Sequence, residues 1–356
     1  MIQISKKYPY TKDDFIAKYL DSESLMYDIE TTGFSRKHCT VYLIGCAYIE
    51  NDDIIINQFF AENPDEEINV LKAFIDLSKN FTKVITFNGI AFDQPFIYDR
   101  CKHHKLEYIL PIEHIDLFRI CSSCKKVLNL ASYNQKSIES FLGLHRDDLY
   151  NGGQLIDVYN KYVSAPTDEA LELLLLHNHD DVKGMTELIP IITYRDFVDE
   201  ISSIESYEII NEIDYSGSEV QELIIKASLN ITLPKPFNIR LNNIYIQAEG
   251  NKLTSLITLY QGELKHFIKD YKKYYYLPDE DMIVLKEMAY SIPNNRKVKA
   301  KASTCYMKKS GLFLPVSENL QVTDNVYSFY EDISKSQRYL IMNDDFDNTF
   351  YKEYLI

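Results

Sequence analysis

The order of elements along the chain predicts an α/β protein: a mixed sheet flanked by helices, then a second, smaller domain of α+β or mostly-β character. Three observations carry that prediction. Strand-like runs follow one another between residues 25 and 60, strands and helices then take turns to about residue 195, and past residue 200 the composition shifts toward strand runs punctuated by glycine. The expected domains are residues 1–200 and 201–356.

Taken in order, LMYDIETTGF (25–34) is an apolar strand ended by a Thr-Thr-Gly turn. Residues 40–60 hold two strands joined at Asn51-Asp52-Asp53, which with the first make an antiparallel meander. Apolar positions Ile68, Leu71, Phe74, Ile75 and Leu77, with acids in the first turn, mark a helix over 65–80. KVITFNG reads as a short buried strand, FDQPFIYDRCKHH as a helix starting near Asp93, and EHIDLF as another strand. QKSIESFLG is a helix stopped by Gly143, and two further helices follow in GGQLIDVYNKYV and TDEALELLLLHNHDDVKGMTELIPII. Beyond the boundary, SEVQELIIKASLN reads as a helix, Pro234 and Pro236 as a break, and NNIYIQAEG, KLTSLITLY and GELKHFI as strands separated by Gly250 and Gly262.

Composition narrows the class. An apolar fraction of 46% in 356 residues supports a sizeable core. No run of eighteen apolar residues occurs and MIQISKKYPYTKDDF contains no apolar signal segment, so the expectation is a soluble, cytoplasmic protein without a membrane partner. Its oligomeric state is not set by the sequence. The six cysteines form no framework: Cys121 and Cys124 make a lone CxxC with no second pair to complete a zinc site, and Cys39 and Cys46 read as packing. A net charge of −15 argues against indiscriminate coating of nucleic acid. Residues 265–309 reverse the sign, with 11 Lys and Arg against 5 Asp and Glu, interleaved with tyrosines. Such a stretch suits a single-stranded nucleic acid, with ammonium groups on phosphates and rings on bases, and equally suits the lysine-decorated edge of a sheet. Lys299, Lys301, Lys308 and Lys309 are its substrate-binding candidates.

Three short stretches hold the candidate chemistry. Asp28 and Glu30, two apart on a strand, share one face, where two like charges are costly unless protonated, bridged by a cation or turned to water. Asp93, in TFNGIAFDQPFI, follows the Asn88-Gly89 turn and on its own reads as a helix cap. His177 and Asp181, four apart, share a helix face and interrupt the apolar stripe of Leu173, Leu174, Val182 and Met185; on their own they read as a buried His–Asp pair. His179 and Asp180 look like solvated neighbours, Asn178 like a substrate-orienting or structural residue, and Asp116 as readily a helix-terminus holder as a site residue.

The sequence D-I-E-T-T-G-F, then T-F-N-G-I-A-F-D, then H-N-H-D-D-V resembles the DEDD superfamily of 3′–5′ exonucleases, which have a ribonuclease H-like fold, over roughly residues 20–195; the nearest branch is that of the YprB-type predicted exonucleases. The resemblance implies a nuclease that hydrolyses single-stranded RNA or DNA with two Mg²⁺ or Mn²⁺ ions about 4 Å apart. It implies that Asp28 bridges both ions, that Glu30 and Asp181 serve the first and Asp93 the second, and that His177 is the general base, with Asn88 on the substrate side. In one branch a His stands five residues before the last Asp and in another a Tyr stands four before it; this chain has His at the tyrosine spacing. The alternatives are a non-catalytic nucleic-acid- or protein-binding module with the same fold, and an endoribonuclease acting on structured RNA. Residues 201–356 resemble nothing that fixes their role beyond an accessory, nucleic-acid-binding expectation.

Overall fold

A computed structural model describes residues 1–11, 14–109, 113–144, 152–213, 216–241, 243–317, 320, 327–342 and 347–355. These residues gather into two compact units, Met1–Arg195 and Asp196–Ile356.

The first unit is built on six strands: β1 (Ile2–Pro9), β2 (Ser24–Thr31), β3 (Val41–Glu50), β4 (Asp53–Phe60), β5 (Lys83–Thr86) and β6 (Glu113–Asp116). They form one mixed sheet in the order β1-β4-β3-β2-β5-β6. The meander β2-β3-β4 is antiparallel, and its β3–β4 turn pairs Glu50 with Asp53 across a two-residue loop whose first member, Asn51, has φ 57°. The chain then crosses over to add β5 and β6 parallel to β2. β2 is central and buried on both faces, which is why it reads as a nearly continuous apolar run. β1 has no counterpart among the predicted elements. Its polar sequence IQISKKYP alternates only weakly, and it pairs with β4 as an edge strand carrying lysines and a terminal proline.

The principal helices that accompany this sheet are α1 (Glu67–Ser78), α2 (Asp93–His103), α3 (Leu117–Ser123), α4 (Lys125–Leu128), α5 (Gln135–Leu142), α6 (Gly152–Ser164) and α7 (Asp168–Leu188). Successive residues of β2 show how the layers divide. The Tyr27 ring lies 5.1 Å from that of Phe74 in α1, while Asp28 meets Asn178 of α7 on the opposite face. The core joins Leu25, Tyr27 and Ile29 of β2 to Phe74, Phe96, Tyr159 and Leu174. Gly143 ends α5 in the left-handed conformation, as its position predicts. One position in β3 is decisive for packing: a Cβ on Gly45 would stand 2.1 Å from Asn178 Oδ1 and 2.7 Å from Val182 Cγ2, so only glycine lets α7 lie this close.

The second unit is β-rich. Its strands are β7 (Ile201–Ile213), β8 (Glu219–Leu229), β9 (Phe237–Leu241), β10 (Ile244–Glu249), β11 (Lys252–Phe267), β12 (Tyr274–Leu277), β13 (Met282–Leu285), β14 (Val298–Lys299), β15 (Tyr306–Val316) and β16 (Arg338–Ile341), with a terminal helix Asn348–Leu355. Two expectations fail here. SEVQELIIKASLN is not a helix but β8, with Leu223, Ile225, Ala227 and Leu229 buried at every second position between β7 and β11. Pairing on both sides overrides a run that scores well as helix. Gly262 does not interrupt a strand either; β11 continues through it, with Gly262 opposite Gly311 of β15. Gly250 does make a turn, at φ 58° between β10 and β11. No helix among the described residues is long and apolar enough to cross a membrane.

Candidate functional site

Asp28 and Glu30 reach the carboxyl end of β2 on one side, and the pairing with β3 slips immediately after Glu30. The extra residue at this bulge is Tyr42 of β3, because Glu30 pairs with Leu43 and Thr31 with Val41. Asp93 is the first residue of α2 and does not cap it. The cap position is Phe92, and the Asp93 Oδ1 instead accepts the Ile29 N–H at 3.2 Å, binding the helix start to the strand between Asp28 and Glu30. From above, α7 brings His177, whose Nε2 lies 3.3 Å from Asp181 Oδ2 and 3.7 Å from Glu30 Oε1. All five side chains line one cleft of about 400 Å³, together with Asn88 and the rings of Phe34, Phe87 and Phe92.

The electrostatics of this cleft are those of a site short of positive charge. Burial, then the charges of Asp181, Asp93 and Glu30, hold the Asp28 carboxyl well above the usual range, and the Asn178 hydrogen bond offsets only part of this. Burial likewise pushes Asp93 up to about 7. Asp28 and Asp93 are so placed that their charged forms call for a counter-ion. Glu30, His177 and Asp181 each offer a ligand atom, all within 4.8 Å of one another, so the donor set fits a divalent cation.

A second layer holds the first in register. Asn178 is fully buried; its Nδ2 donates to Asp28 Oδ2 at 3.2 Å, and its Oδ1 accepts from Gln58 Nε2 at 3.0 Å. Gln58 also donates to the Leu175 carbonyl at 2.9 Å, which fixes which end of the Asn178 amide faces Asp28. Gln58 is absent from the candidates above, although a glutamine inside the apolar run IIINQFF signals a buried hydrogen-bonding demand. Asp116 proves to be a scaffold residue: it caps α3 through the N–H groups of Phe118 and Arg119 and accepts those of Asn88 and Ile90. It thereby holds Asn88 at φ 64° on the cleft wall. His179 is not solvated. It is buried, with Nε2 2.7 Å from the Tyr8 hydroxyl, because β1 covers that side of α7.

The other candidates fall elsewhere. Cys121 and Cys124 are buried and form no disulfide. Lys299, Lys301, Lys308 and Lys309 belong to the second unit. There the Lys308 ammonium is engaged by Asp281 at 2.5 Å and Glu263 at 3.3 Å, while Lys299 stands across from Tyr275 in the β12–β14 pair.

Residues 25–193 match the family model of the RNase_H superfamily (RNase_H_2). The chain is 26% identical over 176 residues to "Uncharacterized protein YprB" of Bacillus subtilis (strain 168), a match covering 48% of this chain and 42% of that protein. The chain therefore spans less than half the length of this curated relative. Among solved structures, the family B DNA polymerase from the hyperthermophilic archaeon Pyrobaculum calidifontis aligns with a TM-score of 0.40 at 13% identity, over 70% of this chain and 35% of that one. The sheet order, the helices on its two faces and the match across residues 25–193 identify the first unit as a ribonuclease H-like nuclease fold.

Proposed function

We propose that the protein is a metal-dependent 3′–5′ exonuclease that hydrolyses phosphodiester bonds of single-stranded RNA or DNA. The observation that carries this reading is the convergence of Asp28, Glu30, Asp93 and Asp181 with His177 on one cleft from three separate elements. Glu30, Asp181 and Asp28 are suited to hold one divalent cation, and Asp28 with Asp93 a second; hard carboxylate oxygens favour Mg²⁺ or Mn²⁺. When bound, such cations make water acidic and offset the charge that builds on the phosphate in the transition state.

The chain's own groups do the rest. Asp28 and Asp93 release protons to accept the cations, and Asn178 keeps the Asp28 carboxylate aimed into the cleft. His177 takes the proton of the attacking water, a task its type of side chain performs near neutrality, while oxygen ligands complete the coordination. Phe34, 81% exposed at the rim and 6.3 Å from the Phe92 ring, offers a face on which a terminal base stacks.

The test is incubation with end-labelled RNA and DNA oligomers in Mg²⁺, Mn²⁺ or EDTA. A ladder shortening one nucleotide at a time from the 3′ end, abolished by EDTA, is the expected result. Internal fragments would replace exonuclease by endonuclease, and intact oligomers in every metal would overturn the enzymatic reading in favour of a binding module.

A further inference from the structure

The cations of residues 265–309 are not equivalent. Lys273 is paired with Asp270, Arg296 with Glu280, and Lys308 with Asp281. Three others gather about one ring: the ammonium groups of Lys286 and Lys297 lie 5.6 and 5.3 Å from the Tyr275 ring centroid, and Lys299 is the direct cross-strand partner of Tyr275. Among the described residues none of these three is in an ion pair. Lys297 also donates to the Ala289 carbonyl at 2.7 Å, and Tyr290 is the next residue in the chain. Tyr290 is 89% exposed and Met288, on the same short helical turn, 65%.

We infer that Tyr275, Lys286, Lys297, Lys299 and Tyr290 form a binding station for single-stranded nucleic acid, distinct from the carboxylate cleft. Cations gathered without an ion-pair partner among the described residues, in a chain of net charge −15, suit a polyanionic partner. Phosphates meet the three ammonium groups, and a base stacks on the uncovered Tyr290 ring. A single strand suits this pairing because its bases are free to turn outward, whereas those of a duplex are already stacked. The station shares only Lys299 with the four lysines that the sequence nominates, since Lys308 is engaged by acids. The choice of nucleic acid over other polyanions rests on the nuclease reading of the first unit.

The experiment uses the full chain carrying Asp28→Asn, in EDTA, with fluorescein-labelled oligo(dT) and oligo(U) followed by anisotropy at several salt concentrations. The combined variant Lys286→Gln, Lys297→Gln and Lys299→Gln is expected to bind about tenfold or more weakly and to lose up to ~2 from the log–log salt slope, at ~0.7 per phosphate contact. Tyr290→Ala should bind about fivefold or more weakly with the slope unchanged. Lys308→Gln should match the parent. Circular dichroism melts check that these surface changes leave the fold intact. The inference is overturned if the combined variant binds like its parent, if the parent binds no oligomer, or if the parent prefers phosphatidylserine vesicles to either oligomer. Binding without metal by a protein that never cleaves would leave the station standing and remove the exonuclease; cleavage with a combined variant that binds like its parent would do the reverse.

Discussion

Asp28 meets three demands at once: it belongs to a buried central strand, faces three other carboxylates and is held by an amide. Replacing it with asparagine removes a charge the cleft cannot screen, so Asp28→Asn should abolish metal-dependent cleavage while raising the melting temperature of the metal-free protein. A variant that still cleaves would remove Asp28 from the chemistry. The raised carboxyl of Asp93, at about 7, gives a sign for pH. Its folded-state proton affinity exceeds that of the unfolded chain, so the stability of the metal-free protein should fall as pH rises from about 4 through about 7. Divalent cations compete with those protons, so their affinity should rise over the same window by up to about tenfold per pH unit, readable by calorimetry. For His177, conversion to alanine should lower turnover about 10²-fold with little change in metal affinity. An affinity loss as large as that of Asp181→Ala would make the imidazole a ligand instead.

Between elements, the site depends on how closely α7 lies against β3. Gly45→Ala would drive a methyl group into Asn178 and Val182, at the helix turn that carries His177 and Asp181. The expected cost is ~1–3 kcal/mol in denaturant unfolding together with a loss of cleavage, because the same shift releases Asp28 from its amide. A second junction ties α1 to α2. Burial would raise the Glu67 carboxyl, but two hydrogen bonds from Arg100, at 2.8 and 2.6 Å, contact with His104 and the Val41 N–H hold it below its usual value. A depressed carboxyl contributes stability above its unfolded pKa that is lost as pH falls through the folded value, so this junction weakens only in acid. Glu67→Gln should cost about 3 kcal/mol or more by leaving Arg100 buried without its charge partner. A melt unchanged from the parent would show that water reaches Arg100.

At the scale of the whole molecule, charge is uneven: residues 1–200 hold 20 Lys and Arg against 32 Asp and Glu, whereas residues 265–309 hold 11 against 5. The first unit gathers its own extensive apolar cluster from β2 through α7. A fragment of residues 1–195 should therefore fold alone, melt cooperatively and retain cleavage of a saturating short oligomer, while binding that oligomer more weakly than the full chain. If the fragment cleaves with undiminished affinity, residues 196–356 take no part in holding substrate.

The sequence by itself determined the order of β2, β3, β4, α1, β5, α2, β6, α5, α6 and α7 and the carboxylates and histidine that meet in the cleft. Strand period placed Asp28 beside Glu30, helix period placed His177 over Asp181, and both spacings are local geometry that a folded chain must keep. Only the tertiary structure decided the rest. Whether Asp93 caps its own helix or turns to the Ile29 N–H depends on a strand 64 residues away. The burial of His179 required β1, whose weak pattern becomes a strand only because β4 offers an edge. Glu219–Leu229 became β8 for the same reason: pairing with β7 and β11 supplies hydrogen bonds and burial that no single segment's propensity contains. Gln58, Asn178 and Gly45 take their meaning from a helix and a sheet meeting at one point, a distance that spacing along the chain does not encode.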